Sequence, residues 1–482
     1  MKLNIFLLIV SFFLTIYLGY AQCNQGDVVT FQRTYGASGD ERAHSIQETN
    51  DGGYVLVGET TSFGAGGKDW FVMKVDALGN PQWTKTYGGN LDEWGHSIII
   101  KQTNDLGYII CGHTESFGAG SLYDSYILKL NISGVVQWEK RMTGSSTDEF
   151  RDVKELSNGD FILTGTAVSF TNGNGDVHLV KISATGNLVW IKNIGTAQRE
   201  HSESVIELDG GDYIISGKTN VTDLSNSFAN GYLLRTDSNG NVLWSKEYGV
   251  SGVHEDIKKV ILLNDNNFLC LGNTGGSGVQ DITVMKVDFN GNVIWRKTYG
   301  GSQDEKPVSI REQSNGDIIF SSQTSSFGSG EDMLLVNTDS NGVVLWSKTY
   351  GGGSDEGFGL FGNSIELTSN NEIYFVGGTS SFGVGGNDVY LIKMNSCGNS
   401  FCNEQDVVLS ETPSSLSAID FPTNVVTGGN LVNTSTIENS ISFIDSYLCV
   451  DSVSAPIPCD LNSSFFNTSF CFGDSTYFND LS

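Results

Sequence analysis

The chain repeats one phrase of about fifty residues seven times, and a period of that length carrying several short strands per copy specifies propeller blades. Residues 86–89, 298–301 and 349–352 all read TYGG, and an acidic pair follows within a few residues. Each copy then runs through a Gly-rich loop, an apolar strand, a turn and a Trp. The Trp anchors are Trp83, Trp138, Trp190, Trp244, Trp295 and Trp346, spaced 55, 52, 54, 51 and 51 residues apart. The expected fold is all-β: a seven-bladed propeller of four-stranded antiparallel blades.

Each copy divides into four strands. The first centres on an apolar residue: Ile46, Ile98, Val153, Val205, Val260, Ile310 and Ile365. The second is a continuous apolar run such as YVLVG at 54–58, which suits a strand buried on both faces. The third opens at Asp69, Asp124, Asp176, Asn230, Asp281, Asp332 or Asp388 and alternates. An Asp/Asn/Gly turn leads to the fourth, with Trp at its centre and Lys two residues later. The seventh copy lacks that Trp strand. TFQRTYG at 30–36 matches QWTKTYG at 82–88, with Phe31 in the Trp place. The strand at 28–35 should therefore pair with 388–394 and close the ring, which removes open sheet edges. The Trp row reads as packing between blades, the alternative being a carbohydrate platform.

Net charge is −28, from 55 acids and 27 bases, so a nucleic-acid partner is not expected. Residues 1–21 read as a cleaved export signal: Lys2, an apolar core at 3–18, then Gly19 and Ala21 at the small-residue positions. A lipoprotein cut before Cys23 is an alternative that Gln22 argues against. No membrane span is expected in the mature chain, which is placed outside the cell or on its surface. Export allows a local disulfide between Cys397 and Cys402 in CGNSFC. The pairing of Cys23, Cys449, Cys459 and Cys471 is not readable. Cys111 and Cys270 lie in apolar strands as small buried hydrophobes.

The unit D-x-x-G-N-x-x-W, as at Asp76 to Trp83 and Asp288 to Trp295, resembles the tryptophan-docking turn of quinoprotein-type propellers and the Asp-box of sialidase-like ones. Its Asp-to-Gly step is three residues, one shorter than the first motif and one longer than the second. The whole phrase is similar to exported repeat propellers of Bacteroidetes, many of which look like adhesin-type surface proteins with a type IX secretion sorting domain. The likeness covers residues 28–400 and brings no catalytic residues. Residues 401–460, rich in Ser, Thr and Asn, read as a linker or short irregular strands. Residues 461–482 resemble the first strands of a PKD-type immunoglobulin-like domain.

No H-E-x-x-H, G-x-S-x-G or Walker spacing occurs, and no catalytic residue or cofactor is assigned. Asp237-Ser238-Asn239-Gly240 opens like a calcium loop but occupies the repeated turn, so calcium stays only as a candidate. The six His read as structural or solvent-facing. One constellation recurs before every first strand: Asp40-Glu41, Asp92-Glu93, Asp148-Glu149, Glu200, Glu255-Asp256, Asp304-Glu305 and Asp355-Glu356. These acids either ring one mouth of the central channel, where they would draw cations, or cap backbone N–H groups of neighbouring loops. The expected function is a monomeric, non-catalytic scaffold that adheres to an extracellular polysaccharide or protein. The alternatives are a propeller enzyme (polysaccharide hydrolase or lyase, or quinone-dependent dehydrogenase) and a structural spacer. An enzyme should crowd non-repeated His, Arg and acids at one channel mouth.

Overall fold

The computed structural model describes residues 28–451, apart from 95–97, 118–122, 172–173, 220–228, 276–278, 358–361, 370, 417 and 421–422. The export signal at 1–21, Cys23, His96, Cys459, Cys471 and the PKD-like segment at 461–482 lie outside the described residues. Seven antiparallel sheets form a ring, and no helix occurs among the described residues. The innermost strands are Glu41–Glu48, Ile99–Gln102, Asp148–Glu155, His201–Glu207, Lys259–Leu262, Glu305–Glu312 and Ile365–Leu367. Each touches the innermost strand of the next blade, and the last touches the first, so these strands line the axis. The ring closes as the repeat pattern requires: Thr30–Gly36 pairs antiparallel with Asp388–Met394, Phe31 opposite Lys393 and Tyr35 opposite Val389. One anchor shifts. Ile100, not Ile98, lies opposite the strand centre of copy two, as Ile46 does in copy one. A shift of two residues keeps the same face, so the alternation alone does not separate them.

The core is divided among the blade interfaces. Seven apolar clusters each join two neighbouring blades, as where Val55 and Trp70 of blade 1 meet Tyr108 and Tyr126 of blade 2. The TYGG phrase supplies a second contact. The hydroxyls of Tyr35, Tyr87, Tyr248, Tyr299 and Tyr350 donate to the carbonyls of Gly79, Gly134, Gly291, Gly342 and Gly398 in the next blade's turn, at 2.6–2.7 Å. The Trp of the same strand lies beneath that Gly. At Gly134 the backbone has φ +72°, and a Cβ there would come within 2.9 Å of the Trp83 ring. Only glycine satisfies both demands.

The blades have five strands rather than four. The fifth comes from residues 404–451, the stretch whose composition suggests a linker. Glu404–Asp406 pairs with the fourth strand of blade 6, Ser410–Pro413 with blade 5 and Ile419–Asp420 with blade 4. Asn424–Val426, Asn430–Val432 and Ile437–Ser440 follow on blades 3, 2 and 1, and Ile444–Asp451 ends on blade 7 beside Thr30–Gly36. The chain thus girdles the propeller once, against the order in which the blades were laid down. In five blades the cation two residues after the Trp, or after Phe31, pairs with an acid of this belt: Arg33 with Asp445, Lys85 with Glu438, Lys246 with Asp420, Lys297 with Glu411 and Lys348 with Asp406, all at 2.5–2.6 Å. Asp420 and Asp406 are largely exposed, so those two pairs set register more than stability.

The expected Cys397–Cys402 disulfide is not formed. Cys402 is bonded to Cys449, 47 residues on, and Cys397 is a buried free thiol. Cys397 sits inside the blade-7 turn, its N–H held by the Asn395 Oδ1 at 3.0 Å. Cys402 stands where the belt departs. The returning strand brings Cys449 opposite Gln32, whose side-chain amide donates to the Cys402 carbonyl. The bond therefore clasps the two ends of the belt. Cys402→Ser should lower unfolding stability by roughly 2–4 kcal/mol. Denaturant melts should show the loss, and limited proteolysis should cut first within 404–451; an unchanged melt and an uncut belt would mean that strand pairing alone holds it.

Candidate binding site on the propeller axis

The acids that precede each first strand are spent on the fold. Glu41, Glu93, Glu200, Glu305 and Glu356 are fully buried. Each accepts a second-strand Thr hydroxyl (Thr60, Thr114, Thr219, Thr324, Thr379) at 2.7–2.9 Å. Each also accepts a backbone N–H four residues upstream, at Ala37, Gly89, Thr196, Gly301 and Gly352. Asp148 accepts the N–H groups of Val168 and Ser169. Asp40, Asp92, Asp304 and Asp355 accept N–H groups from the preceding blade, at Asn387, Lys68, Gln280 and Glu331, within 2.9–3.1 Å. Glu255 is paired with Arg296 through two bonds of 2.7 Å. Among the described residues no group of three or more His, Cys, Asp or Glu is placed to hold a metal ion.

Behind these acids lies a feature the sequence did not advertise. The Asp that opens each third strand faces the buried acid of the next blade across the Gly of TYGG. At Gly88 a Cβ would fall 1.8 Å from Asp69 Oδ1 and 2.3 Å from Glu93 Oε2; at Gly351 the corresponding distances are 1.9 Å to Asp332 and 2.5 Å to Glu356. Gly300 stands likewise between Asp281 and Glu305. Asp69 Oδ1, Asp281 Oδ1 and Asp388 Oδ1 are buried without a hydrogen-bond donor. Burial pushes the Glu93, Asp332 and Asp388 carboxyls up to about 7, and the charges of Asp69, Glu356 and Glu41 respectively add to it. A proton shared between the two carboxyls accounts for both observations. Two interfaces escape the conflict. Asp124 is bridged by Arg141 at 3.0 Å, and blade 4 has Asn230 opposite the Arg-paired Glu255.

The side chains that break seven-fold repetition lie on the axis. The first strand carries a β-bulge in blades 1, 3, 4 and 6, and the extra residue is His44, Arg151, Glu203 and Val308 in turn. A bulge re-aims one side chain without changing its neighbours' pairing. Arg151 Nη1 donates to both Glu203 oxygens, at 2.6 and 2.7 Å, and its Nη2 donates to Glu149 at 2.7 Å. Burial works against charge on Glu149, but Arg151 and then His201 hold it far below the usual carboxylate range. Burial lowers His201 to about 4, so its ring is neutral. Asp256 lies 3.7 Å from His254 and is held at about 2, against its burial, by His254 and Lys258. This network from blades 3–5 is internally neutralised. None of these residues was singled out from the sequence as an axial charge cluster, though Glu149 and Asp256 stood in the acidic list. The available signal was a charge two residues before the apolar anchor, at Arg151, Glu203 and Lys258, where other copies carry His44, Ile98, Val308 or Asn363.

An open recess lies between the turns of blades 4 and 5. Leu208, Asp209, Leu262, Asn266 and Phe289, from turns of blades 4 and 5, line a hollow of about 330 Å³. Phe289 is 40% exposed, rests on Phe268 at 5.7 Å and has the Arg235 guanidinium 4.1 Å from its ring centre. It replaces the Ala77, Ile132, Ala184, Ser238, Ser340 or Ser396 of the other copies. The Trp residues instead pack inward: Trp83, Trp138 and Trp190 meet Tyr108, Phe161 and Tyr213 of the following blade at 5.9–6.4 Å.

No protein-family model matches the chain, and no curated protein matches it. Solved structures do. A protein of unknown function from Bacteroides caccae aligns over 55% of this chain and 93% of its own, at 13% identity and TM-score 0.33. A puromycin hydrolase variant aligns over 81% of this chain and 57% of its own, at 12% identity and TM-score 0.45. The tail fibre of Staphylococcus aureus phage P68 aligns over 67% and 74%, at 9% identity and TM-score 0.24. These likenesses assign no activity. The seven-bladed fold rests on the strand pairing described above, and no helix among the described residues is long and apolar enough to cross a membrane.

The carboxyl pairs make stability depend on pH. Their folded-state affinity for protons exceeds that of free carboxyls, so the folded chain binds extra protons between about pH 4 and 7 and loses stability as pH rises through that window. The thermal midpoint should fall from pH 5 to pH 8. Asp332→Asn, which copies Asn230, should stabilise the protein at pH 8 by on the order of 1 kcal/mol and have little effect at pH 5. Equal effects at both pH values would exclude a shared proton.

Proposed function

We propose that this protein is a secreted or surface-displayed scaffold that binds an extracellular polymer, polysaccharide or protein, without turning it over. The recess around Phe289 carries this reading. There an aromatic ring absent from the other copies meets solvent inside a hollow, with Asp209 and Asn266 in its lining to take hydrogen bonds. Ring plus polar rim suits a sugar or an apolar side chain. The axial network supports the same reading. Its Glu149 is ion-paired with Arg151 and its His201 is neutral, so neither is poised to donate or accept a proton near neutrality. Export and surface display follow from the leader-like residues 1–21 and from the likeness of the repeat phrase to exported propellers.

The enzyme reading keeps one observation in its favour. Arg151, His201, Glu149 and Glu203 are non-repeated and crowd together near the axis. Glycan- and protein-array binding with the intact chain, followed by product analysis of each bound glycan, separates the two. The binding reading expects retention without new reducing ends. Phe289→Ala should weaken that retention at least about tenfold, the scale of one lost aromatic contact, with an unchanged thermal midpoint. Turnover that survives Phe289→Ala and is lost in Glu203→Gln would establish the enzyme instead.

A further inference from the structure

The hollow beside Phe289 has a cause in the repeat. At other seams the last residue of a blade's first strand reaches back and caps the preceding blade's turn between its first and second strands. Gln102 accepts the Asn50 N–H at 2.8 Å, Glu155 the Asn104 N–H at 2.8 Å, Glu207 the Ser157 N–H at 3.0 Å and Glu312 the Asn264 N–H at 2.9 Å. The Ser157 hydroxyl also donates to Glu207, at 3.3 Å, so the N–H and the side chain of this turn position address one place. Between blades 4 and 5 the same two positions are Asp209 and Leu262, and the Leu262 side chain accepts nothing. Between blades 6 and 7 the strand also ends in a leucine, Leu367, but Asn371 takes over. Its Oδ1 accepts the Ser314 N–H at 3.4 Å and its Nδ2 donates to the Ser314 hydroxyl at 2.9 Å. Asn266 is the counterpart of Asn371, with the same left-handed backbone, φ 63° against 59°. Set against an Asp rather than a Ser, it makes neither bond. Among the described residues the Asp209 carboxylate, the Asp209 N–H and the Asn266 side chain have no hydrogen-bond partner. The seam that a cap closes elsewhere is here the hollow of about 330 Å³.

We infer that this hollow holds one neutral sugar unit of a polysaccharide, with a hydroxyl in the place that a Glu or Gln side chain fills at the other seams. The residue at 209 reverses the chemistry of that place. Ser157 brings two donors to an acceptor, whereas Asp209 brings one donor, its N–H, and one acceptor, its carboxylate. A hydroxyl accepts from the first and donates to the second. A carboxylate or sulfate only accepts, and Asp209 repels it. An ammonium only donates. An apolar side chain strips water from both groups and replaces none of it. The cations nearby are already neutralised: Arg235 meets Asp212 at 2.7 Å and Lys286 meets Asp265 at 2.6 Å. Asn266 takes a further hydroxyl, and the Phe289 ring meets the C–H surface of the same sugar. This rests on the binding scaffold proposed above and names its polymer: a polysaccharide of uncharged units, selected through Asp209 and Leu262.

The test uses the intact protein, calorimetric titration and thermal melts. Probes are hexasaccharides of glucose, mannose and xylose, of glucosamine and of galacturonic acid, with a Leu-rich peptide beside them, all at equal ionic strength. The expected result is saturable binding of at least one neutral hexasaccharide, tighter than that of the amino and acidic ones. Asp209→Ser should weaken it at least about tenfold, the scale of a lost hydrogen bond to a charged group. Asp209→Ser combined with Leu262→Glu copies the Ser157–Glu207 pair. It should cap the turn, fill the hollow and abolish binding without lowering the thermal midpoint. Neutral-sugar binding that survives this double substitution would overturn the inference. So would a preference for galacturonic acid, or capture of the peptide with no sugar bound. If the double variant does not fold, Asp209→Ser at its exposed turn decides alone, and undiminished binding there overturns the inference. Binding lost in Phe289→Ala but kept in the double variant would remove this inference and leave the polymer-binding proposal standing, so the two failures are distinguishable.

Discussion

Every blade leans on the turn of the next. A Trp ring lies under a left-handed glycine, and a Tyr hydroxyl from the same strand caps that glycine's carbonyl, as with Trp83, Tyr87 and Gly134. The geometry is one-directional: blade n holds blade n+1. A one-directional contact between identical modules propagates until it meets its own start, which it does where Tyr35 of the N-terminal strand reaches Gly79 of blade 1. The Tyr element is missing from blades 2 and 3, where Met142 and Ile194 stand in its place. Both residues are fully buried, so apolar packing replaces the hydrogen bond there.

The belt answers a different problem. A four-stranded blade presents its fourth strand as an open edge, and seven such edges invite pairing with foreign strands. One segment visits all seven, pairs antiparallel with each and is clasped by Cys402–Cys449. Most of its strands are only two to four residues long, too short to persist alone. They are ordered by the edge they cover. A single covalent closure then converts seven weak pairings into one cooperative strap, because releasing one strand leaves its neighbours still tethered.

Much of this was legible in the repeat. The number of blades, the closure by residues 28–35 and the inward-packed Trp row follow from period, phrase and alternation. The belt was not legible, since its strands carry no alternation and no recurring phrase. Half of its recognition was in plain view, however: the cation two residues after the Trp recurs in the repeat, and Asp406, Glu411, Asp420, Glu438 and Asp445 supply its partners in five blades. The disulfide misread has the same root. Cys397 and Cys402 are close in sequence, but partners are decided by where a 47-residue circuit returns. The axial charges were hidden for another reason. A strand beside a channel looks like a strand beside water, so Arg151, Lys259 and Arg311 read as ordinary polar positions.

Repetition and exception divide the molecule's labour. Residues that recur in most copies (the Trp, the Tyr, the buried Glu, the turn Gly) are consumed by contacts between blades. The buried Glu carboxylates accept from second-strand Thr hydroxyls and from backbone N–H groups, as Glu41 does from Thr60 and Ala37. Whatever the protein recognises must therefore be met by side chains that differ from their counterparts. Those sit in two places: the bulged axial strands, where a charge can change without disturbing the β-ladder, and the turns of blades 4 and 5 around Phe289. Neither place is part of the Trp–Gly–Tyr contact between blades. A ring stabilised elsewhere by recurring contacts can carry unlike groups there at little cost to its closure, and that separation leaves room for a specific site on so uniform a scaffold.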